Sequence, residues 1–192
     1  MALEKPEYQV LYEDGRIEYR LYEPYVVAET KVALDRSYNR ASNQGFRRLF
    51  QYITGNNIAD ADIDMTAPVQ MAMATEGEEI AMTAPVQNSV TDYYLQVAFM
   101  LPSKYTLESA PSPLDENVGL RQIPGRLMAV VRYSGRWTES NREKYEVRLR
   151  EAIEQNGIEI LSEAESAAYN PPFTPPFMRR NEIMLEVSTF PE

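Results

Sequence analysis

Twice along this chain of 192 residues, a stretch in which apolar and polar residues alternate gives way to one with helical spacing, and then the alternation returns. Period two buries one face of a strand, whereas apolar residues at i, i+3, i+4 and i+7 bury one stripe of a helix. In the first passage Ile17, Tyr19 and Leu21 alternate with polar neighbours after a turn signal at residues 13–16. Val26, Ala28, Thr30 and Val32 carry the alternation to about Leu34. From Ser37 the spacing becomes helical through Phe46, Leu49, Phe50 and Ile53, and Gly55 is placed to stop the helix. In the second passage Leu95, Val97 and Phe99 alternate, residues 101–120 read as a proline- and serine-rich loop, and residues 126–137 read as a strand ending at Gly135. Residues 138–155 are then a helix with Ser140 and Glu143 at capping-box spacing, a stripe of Tyr145, Leu149, Ala152 and Ile153, and Gly157 as its stop. A short strand near residues 167–169 and a last strand with Ile183, Leu185 and Val187 on one side complete the pattern. Antiparallel strands with only two helices predict an α+β fold, a β-barrel or curled sheet of two similar halves, each with one α-helix packed outside, in a single domain spanning residues 1–192.

One phrase occurs twice, Met-Thr-Ala-Pro-Val-Gln at residues 65–70 and again at 82–87. The spacing predicts the two arms of a β-hairpin turning between Glu76 and Gly77, which sets Pro68 opposite Pro85, Met71 opposite Met82 and Met73 opposite Ile80. This register gathers Ala67, Val69, Met71 and Met73 on an apolar face and leaves Thr66 and Gln70 on the other.

Composition removes whole classes of chemistry. A net charge of −10 repels phosphate backbones and anionic surfaces, so nucleic acid is not an expected partner. Without cysteine there is no disulfide, thiolate nucleophile or thiolate-held metal, and without histidine the usual general base and iron ligand are missing. No run of membrane-spanning length occurs, so membrane insertion is not expected. The expected location is soluble and cytoplasmic, although a leader trimmed from this sequence would leave no trace in it.

The ordered set "YRLYEPYVVAET", "GFRRLFQYITGNN", "MTAPV", "LP…P.P.D..V", "SG" and "YNPPFTPPFMRRNEIMLEV" resembles the SOUL haem-binding protein family over nearly the whole chain. The resemblance implies a distorted antiparallel barrel of two halves and non-covalent binding of haem or another tetrapyrrole. One branch of the family uses an axial histidine just before the "Y.P" element; the corresponding residue here is Leu21, which cannot ligate iron. Another branch holds haem in an apolar groove beside the first helix, with basic side chains near the propionates. Those basic positions fall on Asn43, Gln51 and Thr174, and that groove's methionine falls on Phe50.

These positions define a candidate site for a small amphipathic ligand: Asn43, Phe46, Arg47, Phe50 and Gln51 on the first helix, with Phe173, Thr174, Phe177 and Arg179 in the proline-rich loop. The helix apolar residues are core by periodicity, and part of the stripe can also floor a groove. Two successive Pro-Pro-Phe units hold out Phe173 and Phe177, which either wall that groove or cap the barrel. Arg47, Arg48, Arg179 and Arg180 offer guanidinium forks for carboxylates, unless they are solvated or, like Arg180 with Glu182, paired within the fold. Tyr52 and Tyr169 are the oxygen donors nearest in sequence for iron. Related ligand-binding barrels keep an acidic residue in the pocket, which the resemblance places at Glu182 as a candidate general base, but no nucleophile–base pair accompanies it. The reading is therefore a binding protein; the alternative is a carrier or sensor of another apolar molecule, or a protein-interaction module, that has lost haem binding.

Overall fold

The computed structural model describes residues 4–34, 37–59, 61–75, 93–170 and 173–191. Gly15, with φ at +60°, turns β1 (Tyr8–Asp14) into β2 (Ile17–Tyr22) where the turn signal predicts it. β3 (Tyr25–Ala33) leads to α1 (Tyr38–Ile53), capped by Ser37, whose side chain accepts a hydrogen bond from the Arg40 amide. β4 (Val69–Thr75), β5 (Tyr93–Met100), β6 (Gly119–Ile123) and β7 (Arg126–Tyr133) follow, then α2 (Glu139–Gln155), β8 (Glu165–Ala168), a single 3-10 turn at Pro176–Met178, and β9 (Asn181–Glu186). The strands form one antiparallel sheet in the order β1-β2-β7-β9-β8-β4-β5-β3-β6, curled into a half-barrel with both helices packed against it.

The two halves are legible in that order. The run β2-β3-α1-β4-β5 is matched by β6-β7-α2-β8-β9, and β4 meets β8 at the centre. Each half donates its first strand to the other: β2 pairs with β7, and β6 pairs with β3. The same residue spacing separates Tyr25 from Arg126 at the strand starts and Ser37 from Thr138 at the helix caps. Interlocking of this kind makes neither half complete without the other.

The helices cover one side of the sheet. Beneath α1, Leu49, Tyr52 and Ile53 pack with Val32, Met71, Leu95, Val97 and Phe99; beneath α2, Leu149 and Ile153 pack with Tyr19, Ala129, Val131, Ile183 and Leu185. α1 lies close because position 45 carries no side chain: a Cβ on Gly45 would fall 2.5 Å from Val97 Cγ2. The buried stripe of α1 is Tyr38, Ala41, Gly45, Leu49, Tyr52 and Ile53. Phe46 and Phe50, assigned to the stripe from spacing, stand at its edge, with Phe46 half-buried and Phe50 exposed, their rings stacked 6.1 Å apart.

Three expectations are corrected. The strand carrying the first copy of the repeated phrase has both edges filled where the second was to pair: Met71 faces Val97 of β5 on one side and Ser166 of β8 on the other. No edge remains there for Met82, and residues 76–92, with the second copy, lie outside the described residues. The expected faces hold within β4, where Val69, Met71 and Met73 face the α1 core while Gln70 turns away to donate to the Tyr25 hydroxyl at 2.9 Å; Ala67, expected beside them, packs instead with Met128 and Met184. The cap of α2 is Thr138, which accepts from the Asn141 amide, and not Ser140. β6 begins in the last two residues of the stretch assigned to loop and continues through residues 121–123, which the pattern leaves unassigned. As expected, Ile183, Leu185 and Val187 lie on one side of the last strand, under α2; Glu182 and Met184 are on the opposite side of the sheet, so that β9 is buried on both faces.

Candidate functional site

A groove of about 390 Å³ opens between α1 and the segment that joins β7 to α2. Asn39, Ser42, Asn43 and Phe46 of α1 form one wall; Val69, Met71 and Ala168 form the floor; Trp137, Asn170, Arg179 and Asn181 close the far side. The geometry follows from the local sequence. Because Phe46 sits at the edge of the buried stripe, its ring meets both the core, edge-on to Phe99 at 5.2 Å, and the opening. Met71 is held from behind by Tyr38, whose hydroxyl lies 3.7 Å from its sulfur.

The wall opposite α1 is pinned by backbone hydrogen bonds. The Gly135 amide donates to the Pro176 carbonyl at 2.9 Å, and the Gly135 carbonyl accepts from Asn181 Nδ2 at 3.2 Å. The φ of +127° at Gly135 suits a residue without Cβ. Asn141 Nδ2 donates to the Arg136 carbonyl at 2.7 Å, so Trp137 is anchored on both sides along the chain. Arg179 is oriented by its Nε donating to the Thr174 carbonyl at 2.7 Å. The groove thus has an apolar floor, an amide-rich rim and one formal positive charge, with no carboxylate among its described lining residues.

Of the nine residues singled out from sequence, Asn43, Phe46 and Arg179 meet in this groove. Arg47 and Gln51 face a second, more polar hollow with Arg40, Arg48 and Asp115, which Asn43 also borders. Phe50 extends the apolar wall by stacking on Phe46. Thr174 contributes its carbonyl to Arg179. Phe173 and Phe177 neither line the groove nor cap the barrel: they are 86% and 78% exposed. Trp137 was missed, although it is the only tryptophan of the chain and immediately precedes a helix cap. Asn170 and Asn181 were missed too, since an asparagine beside proline or arginine reads as a turn or strand end.

The other candidates have structural duties. Glu182 is fully buried and accepts from Arg20 Nη1 and Nη2 at 3.0 and 3.1 Å, from Arg180 Nη2 at 2.7 Å and from the Tyr169 hydroxyl at 2.8 Å. Burial alone would raise its carboxyl, yet Arg20, Arg180 and Tyr169 together hold it below the ordinary carboxylate value. A carboxylate satisfied on every side is a weak base. Burial, reinforced by the Glu182 charge, pushes the Tyr169 phenol far up, and burial pushes the Tyr52 phenol to about 12. Neither offers a ready phenolate: Tyr52 donates to the Pro111 carbonyl at 2.8 Å. Arg48 is engaged by Thr30 at 2.8 Å and Asp115 at 3.4 Å. Leu21 is 40% exposed on β2.

No helix among the described residues is long and apolar enough to cross a membrane. No cluster of three or more acidic side chains suited to a metal ion occurs among them either.

Comparison with known proteins agrees with this architecture. The heme-binding protein 1 of Xenopus laevis is 25% identical over 169 residues, covering 86% of this chain and 80% of its own. That of Mus musculus is 25% identical over 174 residues, covering 90% of this chain and 85% of its own. Among solved structures, the EcmrR C-terminal domain superposes with a TM-score of 0.59 over 95% of this chain and 99% of that one, at 12% identity, a likeness of fold alone. The SOUL heme-binding protein family matches residues 3–186, and the chain belongs to that family.

Proposed function

We propose that the groove beside α1 binds haem or a related tetrapyrrole non-covalently, through contact area and without histidine ligation, with residues 1–192 acting as one domain. The observation that carries this is the groove's make-up: Phe46, Val69, Met71 and Trp137 offer apolar surface while Arg179 supplies the one charge among the described lining residues. A flat macrocycle with an acidic edge is complementary to such a surface. Membership in the SOUL family and the names of the amphibian and murine relatives support the same class of ligand. The chain's lack of histidine leaves contact with the ring as the main source of affinity.

The test is a haemin titration followed by Soret absorption and by the fluorescence of Trp137, the single tryptophan. Saturable changes in both, with one midpoint, are expected. A Soret band that stays that of free haemin at saturating protein rejects the reading.

A second reading draws on the loop carrying Phe173, Phe177 and Met178, all exposed by more than 60%. Apolar side chains held out on prolines suit a protein partner. That reading is favoured if haemin and metal-free porphyrins all fail to bind.

A further inference from the structure

Large apolar side chains at a protein surface need a reason when they stand together. Phe173, Phe177 and Met178 are 86%, 78% and 63% exposed. Their backbone is not slack. Pro175 and Pro176 open the 3-10 turn, the Met178 amide donates to the Pro175 carbonyl at 2.9 Å, and the Gly135 amide fastens the turn to the body through the Pro176 carbonyl. Phe177 and Met178 are thus held outward by a fixed turn.

Positive charge gathers at the same place. Met178 lines a surface hollow together with Arg16, Arg132, Arg179 and Arg180, and the acids among its described lining residues are Glu13 and Glu18. Glu18 already accepts from Arg20 Nε at 2.8 Å. The buried Arg20 and Glu182, next to which Arg132 and Arg180 lie, cancel each other. Arg136 adds a cation beside Gly135, and among the described residues neither Arg136 nor Arg16 belongs to an ion pair. A chain of net charge −10 therefore carries a local positive excess beside its exposed phenylalanine loop.

We infer that this face docks on an anionic lipid surface, with Phe173, Phe177 and Met178 entering the boundary between headgroups and acyl chains and the arginines meeting lipid phosphates. Interfacial binding draws on apolar insertion and on basic charge together, and both are present here. Lipid is favoured over a protein partner by the form of the surface. A protein interface surrounds its anchors with a broad packed patch, whereas these side chains stand on one projecting turn with arginines around it. The charge of the whole chain opposes approach, but it is screened beyond about 8 Å at physiological salt, so the local excess governs the docked state. Arg179 lines both this hollow and the groove beside α1, so docking sets the mouth of the groove near the lipid. The inference goes beyond the tetrapyrrole reading and stands whether or not a tetrapyrrole is the ligand.

The experiment is sedimentation of the full chain with vesicles of phosphatidylcholine alone and of phosphatidylcholine mixed with phosphatidylserine, at low and at physiological salt. Binding to the mixed vesicles is expected to exceed binding to phosphatidylcholine by about fivefold and to weaken as salt rises. Phe173→Ser combined with Phe177→Ser should lower it by about tenfold, and Arg16→Gln combined with Arg136→Gln by about fivefold. Leu114→Ser, at a site 59% exposed elsewhere, should leave it unchanged, which separates docking from general stickiness. Thermal melts verify that each variant keeps the fold. No sedimentation with either vesicle overturns the inference and leaves the loop to a protein partner. Equal binding to both vesicles, or binding that survives the phenylalanine substitutions, overturns it as well. Haemin titration is read separately, so the failure of either idea leaves the other standing.

Discussion

Arg20 and Glu182 meet face to face in the interior, joined by two parallel hydrogen bonds of 3.0 and 3.1 Å, and each is 0% exposed. They tie the first complete hairpin of the chain to its last strand. The two-fold pattern of the fold makes their position informative. At the equivalent place in the other half, Arg121 and Gln96 both donate to Glu29 Oε2, at 2.8 and 2.6 Å. There the arginine is half exposed, and the strand itself bears glutamine where β9 bears glutamate. One half has internalised a charge pair that the other keeps near water.

Removing one partner of a buried pair leaves an uncompensated charge, which costs about 3–5 kcal/mol, whereas replacing both by apolar side chains is often neutral. Glu182→Gln is therefore expected to destabilise strongly, because it strands Arg20 and weakens the anchoring of Arg180 and Tyr169 as well. The double variant Arg20→Met, Glu182→Leu is expected to recover much of the loss. Urea denaturation of the three proteins measures the coupling; additive losses would contradict it.

The same pair sets the acid limb of stability. Glu182 is held below the ordinary carboxylate value in the fold and returns to about 4.3 in the unfolded chain. The folded state thus binds its proton less readily, so the stabilisation is complete above the unfolded pKa and is lost as pH falls through the lower, folded one. Stability is expected to be flat from neutrality to about pH 5 as far as this group is concerned, and to fall below about pH 4. In Glu182→Gln that part of the acid dependence should vanish, which denaturant titrations at several pH values will show.

Gly45 is a second place where packing overrides local preference. A mid-helix glycine costs about 1 kcal/mol relative to alanine, so Gly45→Ala would stabilise an unpacked helix. Here the new Cβ would meet Val97 Cγ2 at 2.5 Å and its Cβ at 2.9 Å, and Val97 is fully buried with no room to turn. Overpacking of this kind costs about 1–3 kcal/mol, and the clash should prevail. A net loss of roughly 1 kcal/mol is expected in denaturant melts; a gain would mean that α1 can lift from β5 at little cost.

Much of this architecture was legible because its signals are local. Gly15, Gly55 and Gly157, all with positive φ, end elements where they were expected to. β6 was not legible: its residues are mostly exposed, so an edge strand held by backbone pairing left no apolar alternation to detect. The repeated hexapeptide misled for a related reason, since identical sequence specifies equal shape and not mutual pairing, and the edges of β4 were already taken by β5 and β8. At the site, Asn43, Phe46 and Arg179 could be found from pattern and resemblance. Trp137 could not, because its place in the wall is set by its neighbours in space.

The Thr138 cap distinguishes geometry from pattern directly. Thr138 accepts the Asn141 amide at 3.3 Å, while Ser140 lies within the first turn of α2. Thr138→Ala should cost about 1 kcal/mol and Ser140→Ala much less. The reverse order in thermal melts would restore the capping-box assignment.

The groove and the phenylalanine loop part company in binding measurements. Phe46 contributes its ring to the wall, so Phe46→Ala should weaken a bound porphyrin by about tenfold, the value expected for losing half of a buried phenylalanine's contact at roughly 25 cal/mol per Å². Phe50→Ala should act in the same direction but less, through the loss of the ring stacked on Phe46. Tyr105 lines a separate hollow with Glu23 and Leu101, so Tyr105→Ala serves as the control and should leave affinity unchanged. Because Phe177 is 78% exposed, Phe177→Ala should change neither stability nor affinity if the loop stays where it lies. A loss at Phe177 matching that at Phe46 would instead show that the loop folds over the bound macrocycle, making the Pro-Pro-Phe units a cover supplied on binding.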